Sequence, residues 1–454
     1  MSMKKIIFTL CIFCSSFLLC QSNLTEQTVL KFISERRWIE LREYYDKNKN
    51  NITGYENLAA EAYIYTYTNQ PAKAIDVTNQ IITEFGESMG PNCIEWYGLN
   101  LNNYIEIQNY KKASEICDIL FHLADKFELG DEMKSVFLYL KDEMNTFDLQ
   151  PKTYLTNSHP EQDILLDLIA DPKTEGLNFE VICNETELKA IFDTGATECF
   201  INQQLANSMG VKYASHDTIL VNNKELKAKK GMMDSLKIGH ITIYNIPVWV
   251  PVDSIVSYSF LNVPDLNENS KEKFENATHF MDSLGLILGI SIMKMIDEFQ
   301  FDFNQNKLLI PSKSSHITEN INLITIADNQ LLLKCKLEST DFIGWLDTGS
   351  NQDFYINYRY YEQNDKFSFH EDQKEKFNML MLQGIKQSWV FKPQNIHVEF
   401  NHLDFFSSQS IINTDAENDI IIANQHCDGM LGDIIIRKSD KITFNFRDMW
   451  IKFN

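Results

Sequence analysis

Several common signatures of catalysis and ligand binding are missing from this chain of 454 residues. Its ten histidines form no His-x-x-x-His or His-Glu-x-x-His pair. The six cysteines after residue 20 lack the paired Cys-x-x-Cys spacing that is typical of a zinc site. No glycine-rich loop of the kind that holds nucleotide phosphates occurs. We therefore expect neither a metal site nor a cofactor.

Basic residues are also scarce relative to acidic ones. The chain has 41 Lys and Arg against 63 Asp and Glu, which gives a formal net charge of −22. An acidic balance of this size favours solubility and argues against a nucleic-acid partner or an anionic membrane surface. After residue 20 no apolar run approaches the about 20 residues that span a bilayer. We expect no membrane span.

The N-terminus carries the one long apolar run. Lys4 and Lys5 precede the almost wholly apolar residues 6–19. This order predicts a secretory signal peptide over residues 1–20 and export to the periplasm or the cell exterior. A lipid anchor on Cys20 is the alternative, and it is disfavoured because Leu19 is bulky where such sites need a small residue.

Residues 21–150 show a helical pattern. Apolar residues recur at intervals of three and four, as at Leu30, Ile33 and Leu41, which predicts amphipathic helices. The stretches around Ala74 and Ala113 are similar and lie 39 residues apart. A helix-turn-helix repeat of this kind resembles a tetratricopeptide-like solenoid, whose concave face would bind a protein or a peptide. A plain helical bundle fits the pattern equally.

The pattern changes after residue 150. Residues 151–164 carry Pro, Asn, Ser and His without periodicity and are predicted to form a linker. Short alternating strands follow, as is typical of an all-β region. A second break at residues 311–316 separates two β-rich halves, residues 165–311 and 312–454. The polar run at residues 267–276 is predicted to be a surface insertion.

The tripeptide Asp-Thr-Gly occurs in both halves, at residues 193–195 and 347–349, and the two aspartates are 154 residues apart. Two carboxylates held about 3 Å apart share one proton, because both cannot ionise easily. Such a pair can activate a water with its ionised member and polarise a carbonyl with its neutral one. The glycine permits a tight turn. We expect the threonine hydroxyl and the next amide to hydrogen-bond the carboxylate.

The sequence around the two aspartates also repeats, which is an architectural signature. Each copy has two strands before the aspartate, a glycine 37 or 38 residues after it, a further strand, an apolar-apolar-glycine sequence and a closing strand. In the first copy these features lie at 178–182, 188–192, Gly231, 236–244, 287–289 and 299–303. In the second copy they lie at 331–337, 342–346, Gly384, 395–400, 430–432 and 442–446.

These motifs resemble those of the retropepsin-like and pepsin-like aspartic peptidases, in the single-chain form that fuses both halves. The resemblance covers about residues 165–454. It implies two pseudo-symmetric closed β-barrel lobes, at residues 165–311 and 312–454, each with an aspartate loop at its base and a flap hairpin over it. Together with the N-terminal helices, the fold class is then multidomain α plus all-β.

The resemblance also implies roles for particular residues, with Asp193 and Asp347 as the catalytic pair. The resemblance gives supporting roles beside the pair to Thr194, Gly195, Thr348 and Gly349. It places substrate-binding flaps at Gly231, Met232, Gln383 and Gly384. It places the strand behind each aspartate at Gly289 and Gly432. Apolar residues near the flaps, Met232, Met233 and residues 379–382, predict pockets for large apolar side chains. The alternative is that these methionines face the core.

Two classes of function remain open. The first is an exported aspartic endopeptidase that hydrolyses a peptide or protein substrate, and a monomer would suffice because both aspartates lie in one chain. The second is a catalytically inactive peptidase-like protein that binds peptides or proteins through its helical repeat and its cleft.

The even number of cysteines after residue 20 permits disulfides in an exported chain but does not require them. Cys183 and Cys335 fall in equivalent strands ahead of the two aspartates. We expect both to be buried, unpaired thiols that act as small apolar residues.

Overall fold

The computed structural model describes residues 24–169, 178–221, 224–251, 285–316, 322–325, 330–350, 352–367, 374–381, 384–392, 395–400, 403–407, 410–416 and 427–454. The chain divides into two compact units, Met1–Lys152 and Thr153–Asn454. The predicted signal peptide at residues 1–20 and the predicted insertion at residues 267–276 lie outside the described residues.

The described part of the first unit is helical. Its helices are α1 (Leu24–Ser34), α2 (Trp38–Asn48), α3 (Gly54–Tyr67), α4 (Pro71–Phe85), α5 (Cys93–Glu106), α6 (Tyr110–Lys126) and α7 (Asp131–Asp148). Each helix packs against the next along the chain. Within the described residues, no helix combines the length and apolar character needed to cross a bilayer.

Local sequence accounts for several of these helices. Pro71 occupies the first turn of α4, where its missing N–H costs nothing. The Asn109 side chain caps α6 by accepting a hydrogen bond from the Lys112 amide at 3.3 Å. Ala74 and Ala113, around which the sequence repeats, are both fully buried. Small side chains at these positions let neighbouring helices approach closely.

The second unit is built mainly from strands. In chain order they are β1 (Tyr154–Asn157), β2 (Ile164–Asp167), β3 (Asn178–Cys183), β4 (Thr186–Phe192), β5 (Cys199–Ile201), β6 (Lys212–Val221), β7 (Lys224–Ile238), β8 (Ile241–Pro251), β9 (Leu286–Leu288), β10 (Glu298–Asp302), β11 (Lys307–Ile310), β12 (Leu323–Thr325), β13 (Leu331–Leu337), β14 (Thr340–Asp347), β15 (Phe354–Ile356), β16 (Glu375–Met381), β17 (Gly384–Phe391), β18 (Ile396–Phe400), β19 (Leu403–Ser407), β20 (Ser410–Asn413), β21 (Gly429–Gly432), β22 (Lys441–Asn445) and β23 (Trp450–Phe453). Among the described residues, four short α-helices lie between them: α8 (Gln203–Ser208), α9 (Ile290–Ile296), α10 (Tyr358–Gln363) and α11 (Asp433–Ile436).

One sheet of the second unit closes into a barrel. Its strand order is β1-β8-β5-β9-β4-β3-β7-β6, and an additional pairing of β8 with β7 completes a ring of six strands. β8 buries Ile241, Ile243, Val248 and Val250, and its alternation changes phase at Asn245, where φ is +57°. These four apolar residues belong to the main apolar core.

In the part of the chain that the structure describes, the second sheet has ten strands, in the order β16-β17-β20-β15-β21-β14-β13-β18-β19, with β12 on β13. Among its described strands no pairing closes a ring. It repeats the centre of the first sheet, because β4 pairs in parallel with β9 and β14 pairs in parallel with β21. The predicted duplication is therefore visible in the strand pairings around the two aspartates.

The third sheet draws strands from both halves, in the order β2-β11-β10-β22-β23. Its centre is the antiparallel pair β10 and β22, in which Phe299 lies opposite Phe444. The rings of these two residues stack with centroids 5.0 Å apart, and both side chains are fully buried. The alternating strands predicted at residues 299–303 and 442–446 thus meet each other.

Two sequence-based expectations differ from the structure. Residues 151–164, assigned to a linker, contain β1, whose residue Leu155 lies opposite Ile243 of β8. Residues 236–244, expected as one strand, instead contain the end of β7, a turn at residues 239–240 and the start of β8. Gly239 adopts φ +59° there, a left-handed conformation that glycine permits and that reverses the chain.

The six cysteines after residue 20 are all free and buried. This confirms the prediction for Cys183 and Cys335, which are 0% and 5% exposed. Burial raises the pKa of Cys183 to about 12. Such a thiol remains protonated and unreactive at neutral pH.

Candidate active site

The two Asp-Thr-Gly turns stand at the ends of matching strands. β4 ends at Phe192, and β14 ends at Asp347. The Asp193 amide extends the β4–β9 ladder by donating to the Leu288 carbonyl at 3.0 Å. Each aspartate carbonyl accepts a hydrogen bond from the amide three residues later, Ala196 or Ser350, at 3.1 Å. The same local turn therefore presents both aspartates.

The two aspartate carboxyl groups lie close together where the two turns meet. The Gly195 amide donates to Asp193 Oδ1 at 2.8 Å, and the Gly349 amide donates to Asp347 Oδ1 at 2.9 Å. Each glycine also lies against the opposite aspartate. A Cβ on Gly195 would collide with the Asp347 carboxyl, and one on Gly349 would lie 2.8 Å from Asp193 Oδ1. Glycine is needed here because the carboxyl groups leave no space for a side chain.

The threonines link the two turns. The Thr194 amide donates to Thr348 Oγ1 at 2.9 Å, and the Thr348 amide donates to Thr194 Oγ1 at 3.0 Å. Each hydroxyl then donates at 2.8 Å to a carbonyl of the opposite half, Thr194 to Leu346 and Thr348 to Phe192. The expectation that the threonine hydroxyls bind the carboxylates is therefore wrong. They are buried and hold the two halves together, whereas the glycine amides hold the carboxylates.

Burial raises the pKa of both aspartates. For Asp193 the hydrogen bond from the Gly195 amide opposes this effect. For Asp347 the negative charge of Asp193 adds to the burial, and its pKa lies well above the usual range of an aspartate. Because the two groups interact strongly, the raised values belong to the pair. The arrangement favours a state in which the two carboxyl groups share one proton.

Gly289 and Gly432 lie directly behind the two turns. A Cβ on Gly289 would approach the Glu198 carbonyl oxygen to 2.5 Å, and one on Gly432 would collide with the Gln352 carbonyl oxygen. The residue after each glycine donates its amide to the adjacent turn: Ile290 to the Ala196 carbonyl at 2.9 Å, and Asp433 to the Ser350 carbonyl at 2.8 Å.

Asp433 is a third carboxylate near the pair, and the sequence reasoning missed it. Its negative charge contributes to the raised pKa of Asp347. Arg437 Nε donates to Asp433 Oδ2 at 2.8 Å, and both residues lie on α11 or directly after it. The corresponding position in the first half is Ile290, which is fully buried. The signal was present in the sequence, since the apolar-apolar-glycine run is followed by Ile in one half and Asp in the other.

The predicted flap glycines are not equivalent. Gly231 lies within β7, opposite Tyr213 of β6 and Val248 of β8. A Cβ there would lie 2.6 Å from Val211 Cγ1, so Gly231 packs in the barrel wall and not at a hairpin tip. The β6–β7 hairpin continues for seven further residue pairs beyond it, to Val221 opposite Lys224.

The neighbours of Gly231 divide between surface and core. Met232 is partly exposed, whereas Met233 is fully buried in the main core. The core-facing alternative therefore holds for Met233. Gly384 opens β17 and pairs with Met381 at the far end of β16. Gln383 and Leu382 lie outside the described residues.

The described residues support neither a metal site nor a serine-hydrolase site. Among the described residues, no group of three or more His, Cys, Asp or Glu is arranged to hold a metal ion. Residues 86–90 match the Gly-x-Ser-x-Gly spacing of serine hydrolases. They follow helix α4, however, and Ser88 Oγ donates to the Phe85 carbonyl at 2.8 Å. A nucleophile elbow needs a strand before the serine.

Comparison with known proteins supports the class of the site. Residues 179–261 match the family model described as aspartyl protease. This confirms the resemblance to aspartic peptidases over a segment that includes Asp193. No curated protein gives a significant match to the chain.

Three solved structures are similar to parts of the chain. A retropepsin-like aspartic protease from Rickettsia conorii is 19% identical, with 35% of this chain and 92% of that chain covered and a TM-score of 0.20. Basic 7S globulin from soybean is 8% identical, with coverages of 65% and 95% and a TM-score of 0.33. The protein named edgp is 7% identical, with coverages of 65% and 95% and a TM-score of 0.34.

Proposed function

We propose that the second unit is an aspartic endopeptidase and that Asp193 and Asp347 are its catalytic pair. The observation that carries this proposal is the close approach of the two carboxyl groups, each of which lies against the glycine of the opposite Asp-Thr-Gly turn. The raised pKa of both groups supports it, because the chemistry needs one ionised and one neutral carboxyl.

The reaction uses the pair as one unit. The ionised carboxylate takes a proton from a water whose oxygen attacks the scissile carbonyl carbon, while the neutral carboxyl donates its proton to the carbonyl oxygen. In the second step the C–N bond breaks, the amine nitrogen receives a proton, and one hydroxyl of the tetrahedral carbon returns its proton to the pair. The shared proton is thus restored at the end of the cycle.

We further propose that an extended peptide is held by main-chain pairing along the β6–β7 and β16–β17 hairpins. Such strand addition gives affinity with little sequence information. Each hairpin projects from a sheet that also carries one aspartate. The partial exposure of Met232 supports contact with apolar substrate side chains.

The wider organisation is also proposed. The unit would consist of two pseudo-symmetric barrel lobes, which the matching β4–β9 and β14–β21 pairings support. The helical unit would be a tetratricopeptide-like repeat that binds a partner or the substrate, supported by the buried Ala74 and Ala113. The apolar run after Lys4 and Lys5 would direct export, and the protein would act as a monomer.

The test is cleavage of a mixed peptide library between acidic and neutral pH. Asp193→Asn and Asp347→Asn are close to isosteric and should each reduce turnover by orders of magnitude while the fold persists. Asp341→Asn is the matched control, because Asp341 is an exposed residue on the same strand as Asp347. Wild-type activity in either dyad variant would refute the proposal. No cleavage by the wild type would instead favour a peptide-binding protein.

A further inference from the structure

The two hairpins that we propose as substrate-holding elements have the opposite charge balance from the rest of the chain. Residues 212–234, within the β6–β7 hairpin, carry five lysines against three acidic residues. Residues 374–392, around the β16–β17 hairpin, carry four lysines against one acidic residue. The whole chain has 41 basic residues against 63 acidic ones. Positive charge is therefore concentrated on both hairpins of a strongly acidic protein.

One lysine stands at the same level in each hairpin. Lys229 of β7 lies opposite His216 of β6, and Lys376 of β16 lies opposite Trp389 of β17. Each of these two pairs is five residue pairs away from the last pair of its hairpin. Because a strand advances about 3.4 Å per residue, both lysines stand about 17 Å from the loop of their hairpin. The two halves therefore present matching positive charges.

Both lysines lie over an exposed aromatic ring. Lys229 Nζ is 5.0 Å from the centre of the Tyr213 ring, and Lys376 Nζ is 5.8 Å from the centre of the Trp389 ring. Tyr213 is 37% exposed and Trp389 is 44% exposed. The face of an aromatic ring attracts an ammonium group at this distance. Each ring therefore helps to hold its lysine at the surface, and it does so without cancelling the charge.

The two lysines over the rings differ from their neighbours in their ionic contacts. Lys212 forms an ion pair with Asp234 at 2.8 Å, and Lys392 forms one with Glu375. Lys229 and Lys376 form no ion pair among the described residues. Each hairpin thus keeps one positive charge that a carboxylate from outside the protein can meet.

These lysines also lie close to sheet edges. Among the described strands, β6 and β16 stand at the ends of their sheets, and they carry Tyr213 and Lys376 respectively. An extended peptide that pairs with such an edge strand runs past the lysine and its ring. A peptide with carboxylate side chains satisfies both the edge and the charge. A nucleic acid fits less well, because the net charge of −22 repels its phosphates.

We infer that Lys229 and Lys376 bind aspartate and glutamate side chains of the substrate, at positions outside the two residues that flank the cleaved bond. This inference rests on the proposed endopeptidase function and adds the substrate class: extended peptides that are acidic on either side of the cleavage site. The apolar contact proposed for Met232 concerns other positions of the same peptide.

A series of peptides tests the inference. The peptides share one cleavage site and differ only in the outer residues, which are Asp and Glu, Asn and Gln, or Lys. Cleavage is measured at a pH of about 6, above the ordinary pKa of Asp and Glu side chains. The wild type should prefer the acidic peptides, and added salt should reduce that preference.

Substitution of each lysine should weaken the preference. Lys229→Gln and Lys376→Gln should each lower kcat/KM for the acidic peptides by about two- to fivefold, as expected for an exposed ion pair. The loss should fall mainly on KM, because these contacts bind the substrate and its transition state equally. Cleavage of the amide peptides should not change. The double variant with Lys229→Glu and Lys376→Glu should prefer the lysine peptides.

Matched controls separate a local charge effect from a general one. Lys452→Gln makes the same charge change at an exposed lysine on β23 and should leave the preference unchanged. Lys229→Arg and Lys376→Arg keep the charge and should keep the preference.

The outcomes distinguish this inference from the proposed function. Equal kcat/KM for acidic and amide peptides in the wild type, or a preference that persists when both lysines are replaced by glutamine, overturns this inference alone. If the wild type cleaves no peptide of any charge, the endopeptidase proposal is overturned and this inference with it.

Discussion

Thr194 and Thr348 exchange hydrogen bonds across the centre of the second unit, each amide donating to the other hydroxyl at 2.9 and 3.0 Å. The two residues are 154 positions apart in the chain. Both are buried, so each hydroxyl is the partner of a main-chain amide that water does not reach. The relative placement of the two aspartates therefore depends on these threonines.

We expect Thr194→Val and Thr348→Val each to lower the free energy of unfolding by about 1–3 kcal/mol, because each leaves a buried amide and a buried carbonyl without their partners. The double variant should cost less than the sum of the two, because the residues share one network. Chemical denaturation of the four proteins measures this coupling. Thr194→Ser and Thr348→Ser keep the hydroxyl and serve as controls. Strict additivity would mean that the threonines act independently.

Asp347→Asn should change the pH dependence of stability. The raised pKa of Asp347 means that the folded state binds its proton more tightly than the unfolded state does. Its contribution to stability is complete below the ordinary aspartate pKa and is lost as pH rises through the raised value. The variant does not have this loss. The Tm of the variant minus that of the wild type should therefore increase from acidic to neutral pH. The corresponding difference in the free energy of unfolding is about 1.4 kcal/mol for each unit by which the pKa is raised.

A Tm difference that is constant with pH would contradict this expectation. Asp341→Asn again provides the control. Its Tm should follow that of the wild type across the range, since an exposed ion pair such as that of Asp341 with Lys334 contributes little.

Asp433 and Arg437 should move the pH profile of cleavage in opposite directions. Asp433→Asn removes a negative charge that raises the pKa of Asp347, so the basic limb of the kcat/KM profile should shift to lower pH. Arg437→Gln leaves the charge of Asp433 without its 2.8 Å partner, so the same limb should shift to higher pH. A merely structural role would not shift the limb in opposite directions. Parallel shifts, or none, would exclude Asp433 as a determinant of the profile.

We expect the cysteine thiols to react very slowly with a thiol reagent in the folded protein. The six cysteines after residue 20 are all buried, and burial raises the pKa of Cys199 to about 12. In a chain that begins after residue 20, an aromatic disulfide reagent should react slowly under native conditions and titrate six thiols after denaturation without reductant. Fewer than six would reveal a disulfide. Rapid reaction of the native protein would show that at least one thiol is accessible.

Much of the β-rich unit follows from the sequence because its strands alternate regularly. The strand predicted at residues 331–337 coincides with β13 (Leu331–Leu337). The strand predicted at 236–244 was wrong because it joined two short alternating runs, Leu236 with Ile238 and Ile241 with Ile243, across a reversal. The alternation changes phase between these runs, where Gly239 adopts a left-handed conformation and β7 turns into β8.

The sequence predicts which residues form the candidate site, but it predicts fewer of the contacts that these residues make. A repeated Asp-Thr-Gly predicts that Asp193 and Asp347 meet, because the proposed chemistry needs two carboxyl groups. The threonine bonds join opposite halves, and local sequence carries no information about such distant partners. Gly231 was assigned to a flap by its spacing from Asp193, whereas the position of a hairpin tip depends on strand length, and β7 has 15 residues.

The sheet that joins the two halves has a consequence for biosynthesis. β10 pairs with β22, whose residues are made about 140 positions later, as with Glu298 opposite Asn445. While the ribosome is still translating the second half, one edge of β10 has no strand beside it, and exposed edges invite pairing with other chains. The nascent first half therefore passes through an aggregation-prone interval, which ends only when the last strands emerge.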